Sequence, residues 1–250
     1  MTNNHNKIVP FGFQDVEYEQ KESLVKKVFS SVAESYDLMN DLMSGGVHRL
    51  WKNFMVGQIS PRKGLRILDV AGGTGDISFR MAHRFEDASL TLCDINPEML
   101  EVGKKRALEK HLQDRIQWVC GDACDLPFED QSFDIYTIAF GLRNVTDTLG
   151  AIRDAYRVLS PGGQYLCLEF STVVLPMLKE AYEKYSFTVI PKVGQYVAGD
   201  EEAYQYLVES IARFPNQETM ENMMRDAGFE RVTHFNLAGG IAALHIGWRV

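Results

Sequence analysis

The stretch Arg66-Ile67-Leu68-Asp69-Val70-Ala71-Gly72-Gly73-Thr74-Gly75-Asp76 decides how the chain is read, because an apolar strand runs there into a glycine turn and a helix. Ile67, Leu68 and Val70 have the character of a short buried strand, and Ile77 to Phe85 reads as the helix behind the turn. Gly72, Gly73 and Gly75 supply the backbone freedom that a sharp bend beside a ligand requires. Amide N–H groups at such a bend, and at the helix start, suit the polar end of a nucleoside-bearing ligand.

A dinucleotide fingerprint is not completed here. In Gly73-Thr74-Gly75-Asp76-Ile77-Ser78 the third glycine of G-x-G-x-x-G is replaced by Ser78, and Asp76 would set a carboxylate where a pyrophosphate belongs. A ligand that lacks phosphate and carries a sulfonium and an ammonium tolerates that carboxylate, so S-adenosylmethionine is the expected cofactor. Leu90 to Asp94 reads as a second strand, and its terminal acid lies about twenty residues past the glycines, the offset at which a carboxylate receives the two ribose hydroxyls. Asn96-Pro97 then starts a helix, with Asn96 as N-cap and Pro97 in the first position. Ile116 to Cys120 is a third strand followed by Gly121-Asp122-Ala123, where Asp122 is placed to accept from an adenine amino group and Ala123 leaves room for the ring. The three strand ends match a ligand laid across the carboxyl edge of an open parallel sheet, with Gly73, Gly75, Asp94, Asp122 and Ala123 as its contacts.

These residues resemble those of the class I methyltransferases, and the chain is similar to the UbiE family of ubiquinone/menaquinone biosynthesis C-methyltransferases. The likeness runs from Phe11-Gly12-Phe13 through Ser35-Tyr36-Asp37-Leu38-Met39-Asn40-Asp41 and His48-Arg49-Leu50-Trp51-Lys52 to the glycine turn. It continues through Gly121-Asp122-Ala123, Phe140-Gly141-Leu142-Arg143-Asn144-Val145 and Phe170-Ser171 to Gly239-Gly240-Ile241-Ala242 and His245, nearly the whole chain. The resemblance implies that Thr74, Asp94, Asp122 and Ala123 contact S-adenosylmethionine. Many relatives carry a cofactor-contacting serine just before the F-G-x-R-N segment; this chain has Ala139 there, so that hydroxyl contact is not carried over.

The coarse order agrees. Strands near Arg66–Val70, Leu90–Asp94, Ile116–Cys120, Phe133–Ala139 and Gln164–Phe170 alternate with helices, which implies a parallel sheet, and Gly162-Gly163 makes the turn into the fifth strand. Arg231–Leu237 and Ala242–Val250 flank Gly239-Gly240 as a hairpin, so the last strand runs antiparallel. The expected fold class is α/β, a three-layer Rossmann-like methyltransferase fold with a mostly parallel seven-stranded sheet. The 250 residues, 45% of them hydrophobic, are expected to form one domain over 1–250, with an N-terminal helical lid at about 15–60 and a helical aromatic insertion at about 171–215.

In the N-terminal part, Val25, Val28, Phe29, Val32 and Tyr36 mark one helix face, which either packs on the sheet or closes over the site. The insertion holds five of the ten tyrosines, Tyr182, Tyr185, Tyr196, Tyr204 and Tyr206, and either binds a greasy substrate above the cofactor edge or forms a small helical core.

A net charge of −8 argues against nucleic-acid binding, which depends on Lys and Arg neutralising phosphates. Met1 to Gln20 has neither an apolar leader core nor the acid-poor, Arg-rich look of a transit peptide, so a cytoplasmic location is expected. No apolar run is long enough to span a bilayer, which limits membrane contact to the periphery of its inner face. Cys93, Cys120 and Cys167 fall in strands and Cys124 just beyond one, the usual place of buried free thiols, and no metal is expected.

Transfer of a methyl group from a sulfonium to a ring carbon needs alignment, exclusion of water and an electron-rich carbon. In a quinol that follows from losing the neighbouring hydroxyl proton, so the site should stabilise a phenolate. Arg143 and Asn144, just past the fourth strand, are the catalytic candidates, and the resemblance also points to Arg143. An arginine is effectively always protonated, which favours a charge that lowers the quinol pKa over a base. A water molecule or His48 would then carry the proton, and Tyr36 and Asp37 are candidate substrate contacts in the lid. The family implies a methoxy-polyprenyl-benzoquinol, a demethylmenaquinol, or both as acceptor, and a homodimer or an association with other quinone-biosynthesis enzymes. The alternatives are an O-methyltransferase on another small phenol and a non-catalytic cofactor-binding scaffold.

Overall fold

The computed structural model describes residues 8–31, 40–41, 44–198 and 201–250. Its centre is a seven-stranded sheet of β3 (Arg66–Val70), β4 (Ser89–Asp94), β5 (Ile116–Cys120), β6 (Phe133–Ala139), β7 (Leu159–Phe170), β8 (Glu230–Leu237) and β9 (Ala242–Trp248). The strand order is β5-β4-β3-β6-β7-β9-β8, and every pairing is parallel except the two made by β9. The expected fold class is the one observed. Because β3 is followed by β4 on one side and later by β6 on the other, the chain reverses direction of winding at β3, and a crevice opens at the carboxyl ends of these strands.

Alternation along the strands feeds two cores, one on each face. Ile67 of β3 and Leu166 and Leu168 of β7 join Trp51 and Met55 of α2 (His48–Gly57) and Ile77 of α3 (Asp76–Arg84). Leu68, Val70, Tyr165 and Cys167 point the other way, onto α5 (Thr148–Val158) and α9 (Gln217–Asp226). The helix after β4, α4 (Pro97–Glu109), starts as its sequence predicts: Asn96 Oδ1 accepts from the Glu98 and Met99 amides and Pro97 takes the first position.

Three features differ from the sequence reading. A hairpin of β1 (Ile8–Phe11) and β2 (Gln14–Glu17) precedes α1 (Tyr18–Ser31), although the polar start of the chain gave no strand signal. The fifth sheet strand begins earlier than Gln164: Phe133 pairs with Leu159 and Ile135 with Gln164, so Ser160–Gly163 is a bulge within β7 rather than a turn before it. Cys120 is exposed and Cys124 half-buried; only Cys93 and Cys167 are buried thiols.

On α1, Val25 is buried and Val28 and Phe29 pack on the core, whereas Val32 and Tyr36 lie outside the described residues. The insertion forms α6 (Pro176–Thr188), α7 (Ile190–Ala198) and α8 (Glu201–Arg213). Ile190, Tyr204, Leu207 and Val208 belong to the same core as the sheet face above α2, so these helices extend that core rather than build a separate one. Tyr196 stands 92% exposed. Among the described residues no helix is long and apolar enough to cross a membrane.

Candidate active site

An open cleft lies on the carboxyl edge at β3, where small-molecule sites of such sheets are found. Its floor is built by Val70, Ala71 and Gly73 after β3, Asp94 and Asn96 after β4, Gly121 to Ala123 after β5, and Phe140, Gly141 and Asn144 to Thr146 after β6. Its roof is α1, through Glu22, Val25, Lys26 and Phe29. Ala71 (φ 49°) and Phe140 (φ 57°) are left-handed without being glycine, at the ends of the neighbouring strands β3 and β6. Such residues cost about 1–3 kcal/mol and persist where surrounding structure holds a site in shape.

Of the expected cofactor contacts, Gly73, Asp94, Asp122 and Ala123 line the cleft. Asp94 is buried, and its Oδ2 accepts from the Gly73 amide at 2.8 Å while Oδ1 accepts from the Asn96 amide at 2.8 Å. Burial raises its carboxyl pKa, against the pull of those two bonds. Thr74 and Gly75 stand behind the lining. The Thr74 hydroxyl accepts from Arg106 Nη1 at 3.0 Å, and Gly75 (φ 90°) is the N-cap of α3, where a Cβ would meet the Phe79 ring at 2.8 Å.

Ser78, read in the sequence only as a missing glycine, has a function of its own. Its hydroxyl donates to Asp69 Oδ2 at 2.7 Å, and Thr137 Oγ1 donates to Asp69 Oδ1 at 2.9 Å, which ties α3, β3 and β6 together under the turn. Burial pushes the Asp69 carboxyl up to about 6. Asp76 does not stand where the sequence suggests: its carboxylate meets Lys52 Nζ at 2.8 Å and Arg80 Nε at 3.0 Å, turned toward α2 and outside the cleft lining. Those two cations hold its pKa below the usual carboxylate range, against burial.

Arg143 and Asn144 follow β6, as the sequence predicts, but they face different ways. Asn144 lines the cleft, and its Oδ1 accepts from Tyr206 on α8 at 3.1 Å. Arg143 turns inward: Nη1 donates to Glu169 Oε1 at 2.7 Å and to the Phe140 carbonyl at 2.6 Å, and the guanidinium lies 5.6 Å from the Phe170 ring centre. Its Nε and Nη2 are buried with no hydrogen-bond partner among the described residues. Arg143 also borders a second cavity, shared with Lys21, Thr146 and Tyr206. Glu169 was not found from sequence, since nothing local marks an acid at a strand end 26 residues away as the partner of this arginine.

His48 is buried at the start of α2, with Nε2 2.8 Å from Asp41 Oδ1. It borders a different cavity, with Arg49, Asp76 and Arg106, so the structure does not bring it to Asn144. Burial and the Lys52 charge lower its pKa, opposed by Asp41. Tyr36 and Asp37 lie outside the described residues.

A seven-stranded sheet with one antiparallel strand, and a ligand cleft where its winding reverses, defines the class of S-adenosylmethionine-dependent methyltransferases. A solved member of that class from Thermotoga maritima superposes with a TM-score of 0.63, covering 90% of this chain and 100% of the other at 20% identity, which is a likeness of fold. The chain belongs to the ubiE/COQ5 methyltransferase family, whose pattern it matches over residues 16–249. A ubiquinone/menaquinone biosynthesis C-methyltransferase of Paracoccus denitrificans is 55% identical over 250 residues, all of both chains. A mitochondrial 2-methoxy-6-polyprenyl-1,4-benzoquinol methylase of Arabidopsis thaliana is 52% identical over 259 aligned positions, covering 96% of this chain and 90% of that protein.

Proposed function

We infer that the protein methylates the ring carbon of a polyprenylated quinol, a 2-methoxy-6-polyprenyl-1,4-benzoquinol, a demethylmenaquinol, or both, in ubiquinone/menaquinone biosynthesis. It is an S-adenosylmethionine-dependent C-methyltransferase, and the cofactor supplies an electrophilic methyl group on a positively charged sulfur. The observation that carries the reading is Asn144 in the lining of the same cleft as Gly73 and Asp94, in a chain of this family.

Each residue then has a task. Asp94 receives the ribose hydroxyls, Asp122 and Ala123 take the adenine edge, and the turn Gly73-Thr74-Gly75 closes around the remaining polar end. Asn144 orients the acceptor ring, with its amide fixed by Tyr206. Arg143 offers Nε and Nη2 to the developing phenolate while Glu169 and the Phe140 carbonyl fix the guanidinium plane. The α1 roof and the buried core beneath keep water from the reacting atoms. The chain acts as one domain over 1–250, with 15–60 as lid and 171–215 as the region that receives the prenyl tail; Tyr36 and Asp37 are the substrate contacts proposed for the lid. A greasy acceptor also supports peripheral contact of a cytoplasmic protein with the inner face of a membrane, and self-association or contact with other quinone-biosynthesis enzymes.

The test is methyl transfer from isotopically labelled S-adenosylmethionine to a methoxy-polyprenyl-benzoquinol and a demethylmenaquinol, each supplied reduced and oxidised, with products read by mass spectrometry. Carbon-bound label in the reduced acceptors alone is the expected result. Label on oxygen, or cofactor binding without transfer to either ring, would overturn the reading.

A further inference from the structure

If the acceptor is a quinol, on which this inference rests, its hydroxyl proton needs a destination. Arg143 stays cationic, Asn144 is an amide, and His48 borders another cavity.

Lys21 on α1 is 3% exposed, and Nζ makes one hydrogen bond among the described residues, donating to the Val145 carbonyl at 2.9 Å. No carboxylate among the described residues pairs with it. It borders the second cavity beside Arg143, and Thr146 lines both that cavity and the cofactor cleft, so the segment that follows β6 is a wall common to the two spaces. We propose that the Lys21 amine accepts the hydroxyl proton of the quinol, with the ring held between the Arg143–Val145 segment and α1.

The step balances. The quinol O–H bond breaks, an N–H bond forms on Lys21, and the electron pair stays on oxygen. The ring carbon then forms a bond to the methyl group as the methyl–sulfur bond breaks, its electron pair remaining on sulfur. The C–H proton at that carbon passes to the ring oxygen as aromaticity returns, so the one net proton of the reaction is the one on Lys21, released to solvent with the product.

The surroundings favour a neutral amine. Burial brings the Lys21 pKa down to about 8, and a neutral amine can still donate to Val145 while its lone pair remains open. Arg143 and Arg213 add positive charge to the same cavity, and Tyr206 is a neutral phenol there. Cys124 opposes that shift only as a thiolate, and burial holds the Cys124 thiol, like the Tyr18 phenol, up at about 12, so neither is charged near pH 8. Asp122 and Asp147 act on Tyr18, and Glu22 points to the cleft and pairs with Lys26. From the β1–β2 hairpin only Pro10 and Gly12 reach the cavity, and α4 contributes nothing to it.

The experiment compares wild type, Lys21→Met and Lys21→Arg on reduced acceptors of graded hydroxyl acidity, with cofactor affinity from calorimetry and folding from thermal unfolding. Lys21→Met is expected to lower kcat by about 10²–10⁴-fold with cofactor Kd unchanged, and to abolish the rise of kcat with pH near 8. Lys21→Arg, which cannot give up its proton, should not restore turnover. The deficit should shrink for acceptors already ionised at the assay pH. The visible absorbance of a bound nitrophenol, read without turnover, should show a higher phenol pKa in Lys21→Met. Wild-type activity from Lys21→Arg, a deficit equal across all acceptors, or a loss confined to cofactor affinity would overturn the proposal while leaving the quinol reading intact. A wild type inactive on every quinol would overturn both. If Lys21→Met does not fold, Lys21→Gln takes its place with the same outcomes.

Discussion

The Arg143 guanidinium and the Glu169 carboxylate meet at 2.7 Å with side-chain exposures of 0% and 1%. Removing one member of such a buried pair strands the other, so Glu169→Gln should cost about 3–5 kcal/mol in urea unfolding. Replacing both, Arg143→Met with Glu169→Leu, should recover most of that stability because a well-packed apolar pair is close to neutral. Turnover should stay lost in the double variant. Recovered activity would remove Arg143 from the chemistry.

Arg143→Lys should be active at a much lower kcat with cofactor affinity close to that of wild type. A point charge remains, but the fork that reaches Glu169 and, in the proposed mechanism, the acceptor does not. Equal loss of cofactor binding, read by calorimetry, would make the residue structural.

Asp94→Asn tests the ribose contact with little damage to the turn, since an amide oxygen can still accept from the Gly73 or Asn96 N–H. Lost charge-assisted hydrogen bonds are worth about 1.5–3 kcal/mol each, so cofactor Kd should rise tenfold or more. Unchanged affinity would sink the assignment.

Asp69 and His245 give opposite pH dependences of stability. The folded pKa of Asp69 is raised to about 6, so the native state holds a proton that the unfolded chain releases near 4. Its stabilisation is complete below pH 4 and is lost as pH rises to about 6, a change of up to about 3 kcal/mol. Asp69→Asn should remove that slope from denaturation midpoints taken between pH 4 and 7.

His245 is buried, accepts no charge readily, and has its pKa brought down to about 4 by burial, with its Nε2 3.2 Å from the Gln217 carbonyl. A lowered histidine contributes stability above its unfolded pKa near 6.5 and loses it as pH falls toward 4. His245→Gln should flatten the acid limb relative to wild type. An unchanged limb would show that this imidazole is not desolvated.

Much of the fold was legible in the residues. β3, β5 and β6 begin and end where their apolar runs do, and Asn96-Pro97 starts its helix as written. Of the cofactor set, Gly73, Asp94, Asp122 and Ala123 meet in one cleft because each follows a parallel strand whose end the topology brings to the same edge. What escaped was partnership across distance. Neither Glu169 behind Arg143 nor Lys21 at Val145, 124 residues on, leaves a local pattern. The β1–β2 hairpin has four-residue strands, too short for alternation to register.

That hairpin sets the timing of self-assembly. The Phe13 amide donates to Glu209 at 2.9 Å across 196 residues, Arg213 binds the Gly12 carbonyl and Asp15, and the Phe11 ring stacks 4.2 Å from that of Tyr206. The hairpin therefore docks only once α8, far along the chain, is in place. Closing so long a loop is entropically late, and slow relative to local structure. The roof helix follows this hairpin directly, so a chain whose hairpin has come off α8 keeps sheet, turn and Asp94 but has no anchored cover. The grip of α8 on the hairpin thus anchors the cover of the cleft from outside the cleft itself.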